Sequence, residues 1–466
     1  VKLVHEEDSE FDLELTPANM APEYVAISHV WSDGLGNVQE NALPHCQILH
    51  LSRLTQEVQG GSLNATHFWI DTLCVPTHGS KQREAKNIAI QKMREVYENA
   101  KAVLVLDSWL LSSIIGSRTD AEILIQIFAS HWNRRLWTFQ EGAFAKALYF
   151  QFADGAYDLD KGVERLKSVQ DLILDRTLTP GILAKHISLR GFRETSSKLP
   201  LNARISCLFA STRYRQTSVE TDETLCLATL LQLPLDRILS IDKERRMNMF
   251  WKMLSRVPVD FLFYEGKTIQ ERGLCWAPQT LLRSDSNIKG FEHSTSVADM
   301  DFANLLPWAE PSERGLKVWL SGLVFKCTEI SLQSYLYLVI ESGEVYRFTP
   351  SPEQCLRDIH QISSEPQHPS SYVELTYDYT AFMLNGGEPD MSESQVPNQG
   401  IIVGIREISA DAIYADKICN GWYETLGMES PEADKVRRLI QANGYSMRPL
   451  CACAMWTLGN QCWVVD

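Results

Sequence analysis

Apolar and polar positions alternate in a repeating scheme over the first 155 residues. Four short runs of strand-forming residues stand out: "YVAISHV" (24–30), "HFWID" (67–71), "KAVLVLD" (101–107) and "KALYFQF" (146–152). Polar or turn-forming residues follow most of them, as "WSDGLGN" follows the first. Between them the apolar residues recur at helical spacing. "LPHCQILHLSRLTQEVQ" is closed by Gly60-Gly61, and "REAKNIAIQKMREVYENA" (83–100) sets Ala85, Ala89, Met93 and Tyr97 on one stripe. A further helix is expected over residues 119–132. Strand, helix, strand, helix, strand at this spacing predicts right-handed crossovers and a doubly wound α/β domain with a parallel sheet. The run at 101–107 is apolar on both faces, which suits a central, covered strand. Residues 1–20 read as an acidic, loosely structured lead-in.

The pattern then changes twice. "KGVERLKSVQDLIL", "LPLNARISCLFASTRYRQ", "DETLCLATLLQL" and "DKERRMNMFWKMLSRV" make residues 156–311 mainly helical. "GLKVWLSGLVFKCTEI", "SYLYLVIES", "SYVELTYDY", "QGIIVGIREISADAIYA" and "CWVVD" make residues 312–466 a β-rich C-terminal domain. "SEPQHPSS" and "NGGEPDMSESQVPNQG" read as surface loops. Three parts are therefore expected (1–155, 156–311 and 312–466), consistent with a length of 466 residues.

Composition narrows the classes of partner. A formal charge of −15 argues against nucleic acid or an anionic membrane as the main partner. The eleven cysteines are scattered and odd in number, as thiols are in a reducing compartment. Cys451, Cys453 and Cys462 lack zinc-ribbon spacing and no histidine follows His368, so no metal is expected. "VKLVHEEDSE" is no signal peptide, and a start at Val1 instead of Met suggests processing or trimming. The most apolar run, "AVLVLDSWLLSSII", contains Asp107 and is too short to span a bilayer. A cytoplasmic location is expected.

In an open parallel sheet, ligands sit beyond the carboxyl ends of the strands. Those ends here carry Ser28-His29-Val30-Trp31, with Ser32 and Gly34 in the loop that follows, Asp71-Thr72-Leu73-Cys74, and Asp107-Ser108. His29 and Cys74 end the first two strands, and such a pair can generate a thiolate nucleophile. The plainer reading is a buried thiol and a histidine bonded to backbone. Asp107 is a helix cap or a site residue, and Asp71 a loop-amide acceptor or a site residue. The segment "RRLWTFQEGAF" (134–144) places Trp137 and Glu141 one helical turn apart. Glu141 then faces either a core, ion-paired with Arg134 or Arg135, or a cleft. Trp31 and Trp137 are core packing or aromatic walls.

"YVAISHVWSDGLGN", "HFWIDTLCVP", "REAKNIAIQKMREVYENAKAVLVLD" and "RRLWTFQE" together resemble the HET domain of fungal heterokaryon-incompatibility proteins. The blocks occur in order over residues 24–152, about a third of the chain. One departure is visible: Val75-Pro76-Thr77 stands where the family often has Asn-Gln. HET domains resemble TIR domains in turn, which have a flavodoxin-like parallel sheet. In TIR domains that hydrolyse NAD, the catalytic glutamate follows a tryptophan at the same interval. The resemblance thus implies a flavodoxin/TIR-like sheet, NAD as a substrate with no resident cofactor, and Glu141 as the catalytic carboxylate. It also implies Trp31 or Trp137 beside the nicotinamide, and Arg134, Arg135 or the "SDGLGN" amides near the pyrophosphate. A role in cell death or self-recognition follows from the family. Two other readings stay open: a non-enzymatic module that self-associates through the HET domain, and a biosynthetic enzyme using Cys74 and His29 for acyl or amide chemistry.

Overall fold

In the computed structural model of the chain, the four strand-forming runs become strands of one sheet. The structure describes residues 1–5, 11–17, 20, 23–37, 39–58, 67–76, 80–168, 178–192, 201–212, 214–282, 308–326, 329–331, 335–351, 372–374, 377–384, 398–443, 451–457 and 461–466. The lead-in forms a hairpin of β1 (Lys2–His5) and β2 (Phe11–Glu14). The expected loose lead-in is corrected there: Lys2 pairs with Glu14, and the Val1 carbonyl accepts from the Phe68 amide at 2.9 Å. The sheet itself holds β3 (Tyr24–His29), β4 (His67–Trp69), β5 (Ala102–Leu106), β6 (Leu148–Phe152) and β7 (Gly155–Asp158). Its order is β4-β3-β5-β6-β7, parallel throughout except for the β6–β7 pair. From β3 the chain moves to one side for β4 and returns to the other for β5. Strand order therefore reverses between β3 and β5, the flavodoxin-like arrangement in which ligands gather at that gap.

Side-chain alternation assigns the two faces. Val25, Ile27, Leu104 and Leu106 meet Ile48, Leu51 and Leu54 of α1 (His45–Val58). Leu51 is fully buried, and burying such a side chain contributes about 1.5–3 kcal/mol. Ala26 and Ser28 point the other way, toward α3 (Ser80–Asn99) and α7 (Trp137–Phe144). Short helices follow the strand ends: α2 (Asp71–Cys74) where a loop was expected, α4 (Ser108–Leu111) and α6 (His131–Arg134). Between the last two lies α5 (Asp120–Ala129), which starts at a Thr119–Glu122 capping box.

Of the helices between residues 156 and 246, the first packs on this sheet and those that follow pack on the helices around it. They include α8 (Leu159–Ser168), α9 (Leu178–Arg190), α10 (Leu201–Thr212) and α11 (Glu223–Leu231). Buried Arg190 donates to the carbonyls of Gly142 and of Ala145, the latter at 2.8 Å, and pairs with Asp160 at 3.0 Å. Those carbonyls end α7, where a cation satisfies them well. Accordingly the chain divides into two units, residues 1–246 and the described residues of 247–466, with no break in packing at 155. The second unit is β-rich, with an eleven-stranded sheet. Pairing of Val345–Pro350 with Ile413–Leu426 closes part of it into a ring around Leu323, Phe348, Phe382, Ile402 and Tyr423. It also carries a helix, Pro431–Asn443, that strand-like patterning did not indicate. "SEPQHPSS" lies outside the described residues, as does most of "NGGEPDMSESQVPNQG", whose end opens strand Asn398–Ile408. Among the described residues, no helix is long and apolar enough to cross a membrane.

Candidate functional site

Two polar groups face opposite sides of the sheet from adjacent positions of β3. His29 ends the strand, and its Nε2 lies 2.7 Å from Oδ1 of Asp71, the first residue of α2. An ionised carboxylate can only accept, so Nε2 carries the proton. Asp71 also accepts from Trp31 Nε1 at 2.5 Å and from the Thr72 amide at 2.7 Å. Burial pushes Asp71 up, but the bonds from His29, Trp31 and Thr72 together hold it below the usual carboxylate value. Burial likewise pushes His29 down, and the hydrogen bond and charge of Asp71, with the charge of Glu141, more than offset it. The two form a part-buried hydrogen-bonded pair.

Glu141 lies on the other side, on α7, and is 7% exposed. Ser28 donates to its Oε2 at 2.5 Å, and Trp132 Nε1 donates to the Ser28 oxygen at 2.5 Å. The wholly buried Tyr97 hydroxyl adds another hydrogen bond. Burial, then the charge of Asp71, raise the Glu141 carboxyl to about 7. A carboxyl group in this position changes charge near neutrality, as acid–base groups in active sites do. Next to it, a Cβ on Gly142 would meet the Trp132 ring at 2.5 Å, so glycine is what lets the indole reach Ser28.

Several expectations change against this geometry. Among the described residues, no ion pair joins Glu141 to Arg134 or Arg135; Arg134 is exposed, and the Arg135 carbonyl accepts from Arg215 at 2.8 Å. Trp137 shares the helix with Glu141 but turns elsewhere, its Nε1 donating to Asp222 at 3.2 Å. Cys74 and His29 are not hydrogen-bonded to each other; Asp71 holds the imidazole through Nε2. Cys74 packs against the α1-side core, and burial pushes its thiol up, away from a thiolate. Trp31 holds Asp71 and is covered by its own loop at Gly36. Ser32 is exposed, and Gly34 turns that loop with φ 101°. Asp107 caps α4 through the Trp109 and Leu110 amides and also accepts from the Trp132 amide at 2.8 Å. Sequence reasoning missed Ser28 and Tyr97 as partners of Glu141, and Trp132 as the donor to Ser28. Period-two reading of β3 sets Ser28 opposite the apolar face, which was the one usable signal.

A cavity of about 260 Å³ lies at the carboxyl ends of β3 and β5, on the α1 side. His29 lines it, with Asp33, Leu35, Gln47, Leu106 and Ser108 among the others; Glu141 does not. Of the two alternatives for Glu141, a core or a cleft, this arrangement shows it closed over, without an arginine partner among the described residues. Among the described residues, no group of three or more histidine, cysteine or acidic side chains is placed to hold a metal ion.

Residues 24–113 match the family model described as "Heterokaryon incompatibility protein (HET)". The match spans β3 to α4 and so includes His29, Asp71 and the cavity, while Glu141 lies beyond its end. No curated protein and no solved structure matches the chain.

Proposed function

We propose, for a chain that carries a HET domain over residues 24–113, that this domain hydrolyses the nicotinamide–ribose bond of NAD within a heterokaryon-incompatibility or cell-death response. The observation that carries the reading is the Glu141 carboxyl, buried at the strand ends and raised to about 7, near the hydrogen-bonded His29–Asp71 pair. Polar groups buried this way reduce stability compared with an apolar core, and they cluster where chemistry uses them. In the reaction the C1′–N bond breaks with its electron pair going to the nicotinamide nitrogen, which leaves neutral. The ribose gains oxocarbenium character, which an ionised Glu141 stabilises while it holds ribose hydroxyls. Water then completes ADP-ribose and releases one proton. The strand order β4-β3-β5-β6-β7 and the placing of Glu141 four residues after Trp137 support this reading.

Because Glu141 is closed over by Ser28, Tyr97 and Trp132, the arrangement described corresponds to a resting form that must open before substrate enters. The test is nicotinamide release by the full chain, alone and under conditions that promote assembly, with Glu141→Ala as control. The same closure favours a second reading, in which Glu141 is a neutral acid that only ties α7 to β3 and the HET domain acts by self-association. Absence of release in every state, with assembly intact, would select that reading.

A further inference from the structure

The cavity on the α1 side stands apart from Glu141 and has its own chemistry. It sits where strand order reverses, between the ends of β3 and β5, the place where open α/β sheets take their ligands. Its walls are Leu35, Leu51, Leu106 and Leu111. Two buried polar atoms of lining residues have no partner of proper hydrogen-bond geometry among the described residues: Nδ1 of His29, whose ring otherwise feels only the Val30 backbone, and Oε1 of Gln47. His29 is 5% exposed, and its Nε2 is already committed to Asp71. Buried polar atoms of a native fold are nearly always satisfied, and a guest in the cavity that both residues line would satisfy these two. The volume suits one: a cavity of about 150 Å³ holds benzene, so about 260 Å³ holds a substituted ring.

We infer that this cavity is a binding site for an uncharged small molecule with a flat apolar body and a carboxamide-like edge. Gln47 Oε1 accepts only, so the ligand must donate to it. His29 Nδ1 accepts when the ring is neutral and donates when it is charged, and an edge bearing both N–H and C=O serves either form. The leucines cover the apolar body. Asp33 also lines the cavity, and no lysine or arginine does among the described residues, which disfavours anions. Exposed Cys46, His50 and Ser108 form the mouth, and with their neighbours they make no metal-holding group. The site does not depend on cleavage at Glu141, and its test does not measure turnover.

The probes are benzamide and benzoate, near-isosteric and differing in charge and in donor groups. Titrated by calorimetry into the full chain, benzamide should saturate in the range of about 1 mM. Benzoate should bind at least about tenfold more weakly, having a charge next to Asp33 and no N–H. Gln47→Leu should weaken benzamide about fivefold, the worth of one hydrogen bond. Leu111→Trp, which fills the cavity from its rim, should abolish binding while the thermal melt of the chain stays cooperative. No saturation by about 10 mM, equal binding of benzoate, or benzamide binding untouched by Gln47→Leu would each overturn the inference. If Leu111→Trp fails to fold, the benzoate comparison and Gln47→Leu still decide.

Discussion

Glu141 is a carboxyl group with hydroxyl neighbours in place of cations, and that makes it sensitive to pH. Its ordinary value is 4.5 and its folded value about 7. Between them the folded chain keeps a proton that the unfolded chain has lost, so this contribution to stability falls as pH rises through the window and is level above it. The amount is on the order of 3 kcal/mol. His29, raised above 6.5, acts in the same direction: its stabilisation is whole below 6.5 and is lost as pH passes the folded value. Asp71 is depressed below 3.8, so its share persists at all higher pH and is lost only in acid. The unfolding midpoint of the full chain should therefore drop between about pH 5 and about pH 8, and Glu141→Gln should shrink the drop. A pH-independent midpoint in the wild type would contradict the buried, shifted carboxyl. Cys74 gives a second residue-scale expectation. Its thiol is raised and packed on the core, so it should alkylate well behind exposed Cys46, as peptide mapping of the labelled chain can check.

At the scale of elements, α7 is held from both ends. Arg190 from α9 binds its final carbonyls, while the Leu136 amide before its first residue donates to the Gln216 carbonyl at 2.9 Å. Gly142 lets Trp132 into the helix side. Gly142→Ala should therefore cost about 1–3 kcal/mol, despite the better helix propensity of alanine, and should change Trp132 fluorescence. A stabilised variant would show that the contact yields. The strands and the long helices were legible because period-two and period-3.6 patterns report burial directly: β3, β5, α1 and α3 stand where the spacing set them. The site was half legible. His29, Asp71 and Glu141 were marked by the strand-end rule and by the Trp137–Glu141 interval. Their partners were not, because Ser28–Glu141 and Trp132–Ser28 span 113 and 104 residues of sequence, and no local period encodes such contacts. Trp132 sits on a four-residue helix too short to show a period. His29 bonds Asp71, three residues nearer in sequence than Cys74, and strand-end placement alone does not tell which of the two it meets.

At the scale of the molecule, the sheet and the helices through residue 246 form one unit. Arg190 and Arg215 tie the segment after residue 155 to the helices before it. Both are about 4% exposed, and each satisfies carbonyls around α6 and α7 from a later helix or turn. Arg215 also stacks on Phe139, its guanidinium carbon 4.6 Å from the ring centroid, and donates to the Ser211 carbonyl and to Asn133 Oδ1. A fragment ending at 246 should melt cooperatively, whereas one ending at 155 should not, as circular dichroism on the two would show. Cooperative unfolding of the shorter fragment would make residues 156–246 an accessory.

The central claim is that Glu141 performs chemistry and does more than fasten α7 to β3. Gln in its place keeps the shape and the neutral hydrogen bonds but has no charge to lend. The most direct measurement is nicotinamide release from NAD by the full wild-type chain and by Glu141→Gln, both held at the same folded fraction. The account expects release by the wild type and none by the variant, at equal or higher stability of the variant. Equal release from both, or none from the wild type in any assembly state, would contradict it.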